Sequence, residues 1–342
     1  MASTTYVYAG GVCGLFRGEA SGLIWERLTN GMPEENIRSI TVDTAHPEIV
    51  FVGTDHGPYR SKDQGANWIK LPFPETDTQI WSILIDPHDP RRIYAGGSPV
   101  SIFRSTDAGD SWERLPDPNI ENRVKMPFPC RVMRLVANPR KPNELYATLE
   151  VNGVIRSSDG GMSWQDCSDD LVRLADQPHL KSQIIGDSDI EGMLDGHALC
   201  ITQADPDAVI LAVRMGLFRS GDQGGSWRDM EVGRFSPVTY ARDIRVSPQD
   251  PKTLFACLSV AAASDFGSLY RSQDIGNTWQ RIDAAIQPTS TLMAVALHPS
   301  NSSMIFSASR HGQVFGTVNN GTSWIETQLP ASVKDVYALA CG

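Results

Sequence analysis

The chain has no apolar run near the roughly 18–20 residues that a bilayer-spanning helix needs. Its opening, "MASTTYVYAGG", has no basic segment leading into an apolar one. No secretory signal is read there, and a cytoplasmic protein is expected. Basic charge is also short: 30 Lys and Arg stand against 40 Asp and Glu, for a net charge of −10. That balance argues against a nucleic-acid partner, whose phosphates need clustered Lys and Arg, and against an anionic membrane. Cysteine number is modest. Cys13, Cys130, Cys167, Cys200, Cys257 and Cys341 form no CxxC pair and no zinc spacing. Buried free thiols in a reducing compartment are expected rather than disulfides. No G-x-S-x-G, P-loop or dinucleotide fingerprint occurs, so no nucleotide cofactor is expected.

What is present is a repeat. "RSKDQGANW" at 60–68 returns as "RSTDAGDSW" at 104–112, "RSSDGGMSW" at 156–164, "RSGDQGGSW" at 219–227 and "RSQDIGNTW" at 271–279. Aligned on this string, tryptophans fall at Trp25, Trp68, Trp112, Trp164, Trp227, Trp279 and Trp324, at intervals of 43, 44, 52, 63, 52 and 45 residues. A period in the forties with local insertions marks a radial or linear repeat. Within a period, runs such as "IRSITVD" and "IVFVGT" alternate apolar and polar residues and read as strands. Pro and Asp clusters, "DPHDP", "NPRKP" and "SPQDP", read as turns between the first two strands. Each period is about four short strands, and none demands a helix.

The recurring string lies between the third and fourth strands. Its Asp (Asp63, Asp107, Asp159, Asp222, Asp274) can accept backbone N–H bonds and close the turn. The Gly two residues on can take positive φ, and the Trp can pack between neighbouring sheets. The string resembles the Asp-box, S-x-D-x-G-x-[ST]-W, of the bacterial neuraminidase (BNR) repeat. That repeat occurs in sialidases, sortilin-type receptors, oligoxyloglucan-active glycosidases and photosystem II assembly factors. "RSKDQGANW" carries Asn67 for Ser/Thr, "TVNNGTSW" at 317–324 carries Asn319 for Asp, and "RGEASGLIW" at 17–25 is degenerate.

The resemblance implies an all-β, seven-bladed β-propeller over 1–342, with loop insertions at 116–130 and 168–196. "YVYAGG" at 6–11 matches second strands, so "VYALACG" at 336–342 should supply the missing first strand of the N-terminal blade. Closing the ring in this way removes exposed sheet edges. An open β-solenoid is the other arrangement of such repeats.

In the families it resembles, the Asp-boxes lie away from the active site. The second-to-third strand turns and the connections into each first strand lie on the opposite face, where function is expected. Candidates from the turns are His56, Glu150, Asn152, Arg214, Asp265, Arg310 and His311. The starts of the innermost strands add Arg38, Trp81, Arg131, His197, Tyr240 and Arg242. His46, His88 and His298 read as surface residues of the other face. The insertion at 168–196 is a candidate lid or pocket wall. It holds His179 and the acidic set Asp187, Asp189, Glu191 and Asp195.

Two chemistries fit these residues. His56, His197 and His311 with one of those carboxylates could hold a divalent zinc, manganese or iron ion and activate a water; a solvated acidic loop and unrelated histidines is the plain alternative. Glycosidase chemistry needs two carboxylates, or a tyrosine nucleophile with an acid, for which Glu150, Asp265 and Tyr240 are available. Arg38, Arg214, Arg242 and Arg310 can bind an anion, as the three arginines of the sialidases it resembles do. The sialidase Arg-Ile-Pro signature is absent, however, and sialidases usually have six blades. The expectation is a hydrolase or lyase acting on a small anionic molecule at the channel mouth. His56, His311, Glu150 and Tyr240 would be its reactive groups, and Arg38, Trp81, Arg214, Arg242 and Arg310 would bind substrate. The alternatives are a non-catalytic assembly factor with a protein partner and a glycosidase with a glycan substrate.

Overall fold

Alternating β-branched and polar residues make each period a four-stranded antiparallel sheet in the computed structural model, which describes residues 4–12, 14–181, 188–331 and 333–342. The sheet around the first repeat runs Ile37–Val42, Val50–Thr54, Gly57–Ser61, Ile69–Lys70. Its second and third strands are buried along their whole length and its fourth is exposed. Such a sheet is covered on both faces, as blades stacked side by side require.

There are seven such blades among the described residues. Val336–Cys341 pairs antiparallel with Tyr6–Gly11 and completes the N-terminal blade, blade 1. The Tyr6 and Gly342 backbones exchange two further hydrogen bonds of 2.8 and 3.0 Å. The innermost strand of each blade touches that of the next, and blade 7 touches blade 1. The ring is closed, so the solenoid alternative does not apply. The apolar residues sort into seven clusters, one between each pair of neighbouring blades.

The repeated string is the joint that locks blade to blade. In blade 5 the Ser220 hydroxyl donates to Asp222 Oδ1 (2.8 Å) and accepts from the Gly224 N–H (2.7 Å). Asp222 accepts from the Ser226 N–H and hydroxyl, both at 2.8 Å. The same set recurs around Asp63, Asp107, Asp159 and Asp274. In blade 3 these bonds, led by that of Ser111, pull the Asp107 carboxyl down to about 2. The turn needs two consecutive positive φ angles. At 224 glycine supplies one (φ 94°), but Gln223 takes the other (φ 65°). Each box Trp then packs against the preceding blade: Trp68 in the cluster between blades 1 and 2, Trp227 between blades 4 and 5, Trp279 between blades 5 and 6. Asn319 closes its turn as the aspartates do, accepting from the Ser323 N–H at 2.9 Å.

The insertion at 168–196 is not all loop. It forms two short helices, Asp169–Leu174 and Asp189–Leu194. Leu171, Leu180, Met193 and Leu194 bury themselves in the cluster between blades 4 and 5. Its described parts, 168–181 and 188–196, form a packed wall; residues 182–187, Asp187 among them, lie outside the described residues. Residues 116–130 carry no strand or helix; Arg123 ties them down by ion pairs to Asp166 (2.5 Å) and Asp169. Of the cysteines, Cys130, Cys167, Cys200, Cys257 and Cys341 are free, and Cys13 lies outside the described residues. No described helix is long and apolar enough to cross a membrane.

Candidate functional site at the channel mouth

Every innermost strand carries a β-bulge near its start, at the same place in all seven blades. A bulge inserts one residue with no partner across the ladder and re-aims its side chain. The unpaired residues, from blade 1 to blade 7, are Tyr337, Arg38, Trp81, Met133, His197, Arg242 and Met293. All seven line one axial cavity of about 60 Å³. That volume holds a few waters, since one needs about 10–15 Å³. The bulge is therefore the device that turns seven equivalent positions into a ring of different side chains.

On one side of the ring the side chains form a cation–π ladder. The Arg38 guanidinium lies 4.7 Å from the Tyr337 ring centre and 4.6 Å from that of Trp81. The Arg131 guanidinium lies 4.4 Å from the Trp81 ring centre and 4.8 Å from that of Phe128. Each arginine is anchored by a carboxylate: Arg38 by both oxygens of Asp55 (2.7 and 3.0 Å), Arg131 by Glu150 (2.8 Å). Trp81 is only 6 % exposed. It stiffens this wall and offers no open face on which a sugar ring could stack.

The other side is a titratable cluster. Burial, with Asp195 nearby, pushes the Glu150 carboxyl up to about 7 against the pull of Arg131 and Arg242. Its Oε2 is buried and has no hydrogen-bond partner. Burial alone would raise Asp195 as well, but His197 and Arg214 outweigh it and hold Asp195 below the usual carboxylate range. Asp195 Oδ2 lies 3.0 Å from His197 Nε2 and accepts from Arg214 Nε at 2.5 Å. Two carboxyls with pKa values driven apart are the usual footing for an acid and an ion in one site. Arg214 also pairs with Glu191 at 2.8 Å, so the insertion supplies both of these carboxylates. His197 is enclosed, with Nδ1 on the Ala241 carbonyl (2.8 Å) and the Tyr240 hydroxyl 3.3 Å from Nε2. Burial pushes the Tyr240 hydroxyl up to about 12, so it keeps its proton at neutral pH. Arg242 makes no hydrogen bond or ion pair among the described residues, although it lines the cavity and acts on Glu150 and His197.

The structure thus gathers Arg38, Trp81, Arg131, Glu150, His197, Arg214, Tyr240 and Arg242 into one neighbourhood. Others stand apart. His56 is half-exposed, with Nδ1 2.8 Å from Glu35. His311 is exposed and bonds through its backbone only, and neither histidine lines the cavity. Arg310 is held by Asp335 at 2.5 Å, Asp265 is exposed, and the Asn152 side chain accepts from the Arg123 N–H at 3.3 Å. Of His56, His197 and His311, the set expected to hold a divalent ion, only His197 lines the cavity. Both His197 nitrogens and His56 Nδ1 are spent on protein groups, and no cluster of three His, Cys, Asp or Glu side chains is placed to hold a metal among the described residues. On the far face His46 and His88 are exposed as expected, whereas His298 is half-buried, 3.2 Å from the Thr5 hydroxyl.

Asp55, Tyr337, Phe128 and Asp243 were not legible as site residues. For Tyr337 a signal existed: it holds, in the C-terminal strand, the place that Arg38 and Trp81 hold in theirs.

Comparison with known proteins bears on the fold. The sortilin family model ("Sortilin, neurotensin receptor 3") matches residues 56–185, well under half of the chain. No curated protein sequence matches it. The GH74 xyloglucanase of Xanthomonas campestris superposes with a TM-score of 0.64 at 16% identity, over 94% of this chain and 46% of that one. The GH74 enzyme of Niastella koreensis gives 0.63 at 16%, over 94% and 47%. YCF48 bound to a D1 peptide gives 0.55 at 14%, over 87% and 82%. The chain thus spans less than half the length of these GH74 enzymes, and at such identities the likeness concerns the fold alone.

Proposed function

Taking as premise that the chain is a BNR-like seven-bladed propeller, we propose that it is a hydrolase for a small carboxylate-bearing substrate at the channel mouth. Arg242 receives the anion and Glu150 is the proton donor. The observation that carries this is the pairing of an unengaged guanidinium with a buried carboxyl that stays protonated up to about pH 7 and has one unpartnered oxygen. A donor with a pKa near the working pH is the efficient one. As the scissile C–O bond breaks, the Glu150 proton passes to the leaving oxygen; water adds its hydroxyl to the carbon and returns a proton to Glu150. Burial, countered by Arg131 and helped by Asp195, sets the acidity of Glu150, and the Arg38–Trp81–Arg131 ladder keeps that wall rigid. Acidic glycosides are the substrate class that joins the anion site to the likeness with glycoside-cleaving GH74 enzymes.

A second reading has its own support. YCF48, bound to a D1 peptide, matches this chain over most of both lengths. A polypeptide carboxylate on Arg242 would then be bound without reaction.

The two readings separate on aryl uronides, followed by aryl release between pH 5 and 8. The expected turnover falls as pH rises through about 7, because the acid must be protonated. Glu150→Gln should lose at least about a hundredfold in rate, the usual worth of a positioned proton donor. Arg242→Gln should weaken binding about tenfold or more. Full turnover in Glu150→Gln would end the hydrolytic reading. No turnover by the native chain, with binding of a carboxylate-ended peptide lost in Arg242→Gln but kept in Glu150→Gln, would establish the second.

A further inference from the structure

The larger cavity lies at the other end of the channel. It opens on the Asp-box face, has a volume of about 610 Å³, and is walled by the innermost strands, with Ile85, Val136, Val246 and Leu297 among its lining. The size is that of a small-ligand site, and such sites are mostly apolar with a few fixed polar groups. The polar groups here sit at its inner end. Arg134 and Arg245 line both this vestibule and the mouth cavity, so they form the waist between the two. One buried carboxylate serves them both: Asp243 Oδ1 accepts from Arg134 at 3.0 Å and Oδ2 from Arg245 at 3.2 Å. Asp243 also accepts the N–H groups of Ile244 and Val295 at 3.0 and 3.2 Å, so its lone pairs are committed. Two guanidiniums against one carboxylate leave one positive charge uncompensated inside the channel. Arg134 Nε is buried with no partner at all. Burial, with Arg245 beside it, pulls the Arg134 guanidinium down to about 10, which shows how poorly its charge is balanced there. A buried charge without a partner is costly.

We propose that the vestibule binds an alkyl carboxylate, its head group on Arg134 and Arg245 and its chain along the apolar wall towards the Asp-box face. A carboxylate supplies the missing negative charge and presents two oxygens to planar guanidiniums. An alkyl chain removes Ile, Val and Leu surface from water. The rim also carries Asp43 and Asp86, which accept from the N–H groups of Ala45 (2.9 Å) and His88 (2.8 Å) in their own turns, and Asp86 lies 3.6 Å from Arg92. This site opens on the face opposite the mouth, shares only the waist with it, and does not depend on the hydrolytic reading.

The test is calorimetric titration of the full chain with decanoate, decanol, acetate and inorganic phosphate. Decanoate should bind at one site, with decanol and acetate each at least about tenfold weaker, since one lacks the charge and the other the chain. Arg245→Gln should weaken decanoate about tenfold and leave decanol unchanged, while Arg245→Lys, which keeps the charge, should restore part of the loss. Ala340→Phe, placed in the vestibule wall, should weaken decanoate and decanol together. Should that variant not fold, Ala137→Leu in the same wall makes the same test. Equal affinity for decanoate and decanol, undiminished decanoate binding in Arg245→Gln, or phosphate binding as tightly as decanoate would each overturn the proposal.

Discussion

The two faces of the ring come from the same repeat and solve opposite problems. On one, a nine-residue turn recurs with its hydrogen bonds unchanged, the Ser and Asp side chains bonding only within their own turn. On the other, seven equivalent bulges carry two arginines, two methionines, a histidine, a tryptophan and a tyrosine. A position whose requirements are met locally can be copied from blade to blade. A position that faces six different neighbours across an axis cannot, because the copies would meet their own kind: seven arginines in one ring would repel and seven leucines would seal it. Uniformity marks the scaffold here and variety marks the site.

The comparison breaks first at the waist. Asp243→Ala leaves the half-buried Arg134 and Arg245 with no counter-charge and the buried Ile244 and Val295 N–H groups with no acceptor, and stability should fall by about 3–5 kcal/mol, read from the shift in urea midpoint. A loss below about 1 kcal/mol would mean that water balances those charges and that the axis is less dry than its walls suggest. Next comes a scaffold turn. Ser220→Ala removes the acceptor of the buried Gly224 N–H, and should cost about 1–3 kcal/mol while leaving mouth and vestibule binding intact. The effect of Glu150 on stability is smaller in reach but specific in pH. Its folded pKa is raised, so its contribution is fully present below about 4.5 and is lost as pH rises to about 7. Glu150→Gln should flatten the melting temperature across that window; an unchanged profile would place the unpartnered carboxyl in water. Smallest of all, Asn319→Asp completes the last box with the same number of hydrogen bonds, and should change stability by no more than about 0.5 kcal/mol.

The Asp-box turns and the strand pattern were readable from residues, because turn chemistry and period-two alternation act within a few neighbours along the chain; ring closure came from the family resemblance together with the complementary strands at the two ends. Of the mouth, the bulge positions Arg38, Trp81, His197 and Arg242 stood out, since polar or aromatic residues at the start of a buried strand break the pattern. Met133 and Met293 did not, because an apolar residue there reads as core. His56 and His311, expected as reactive groups at the channel mouth, hold matching places in the turns of blades 2 and 7. Matching places in two turns put them on the same face, but not in the cavity.

The number of blades and their locks were thus written in local sequence, where each signal needs only its own turn or strand. Which charges are left over was not. That Arg242 lacks a carboxylate while Arg38 and Arg214 have theirs, that Glu150 keeps its proton, and that Asp243 is shared between two arginines all depend on side chains up to 109 residues apart in sequence converging on one dry axis. Electrostatic balance in a buried space is a sum over everything nearby, and only the folded ring says what is nearby.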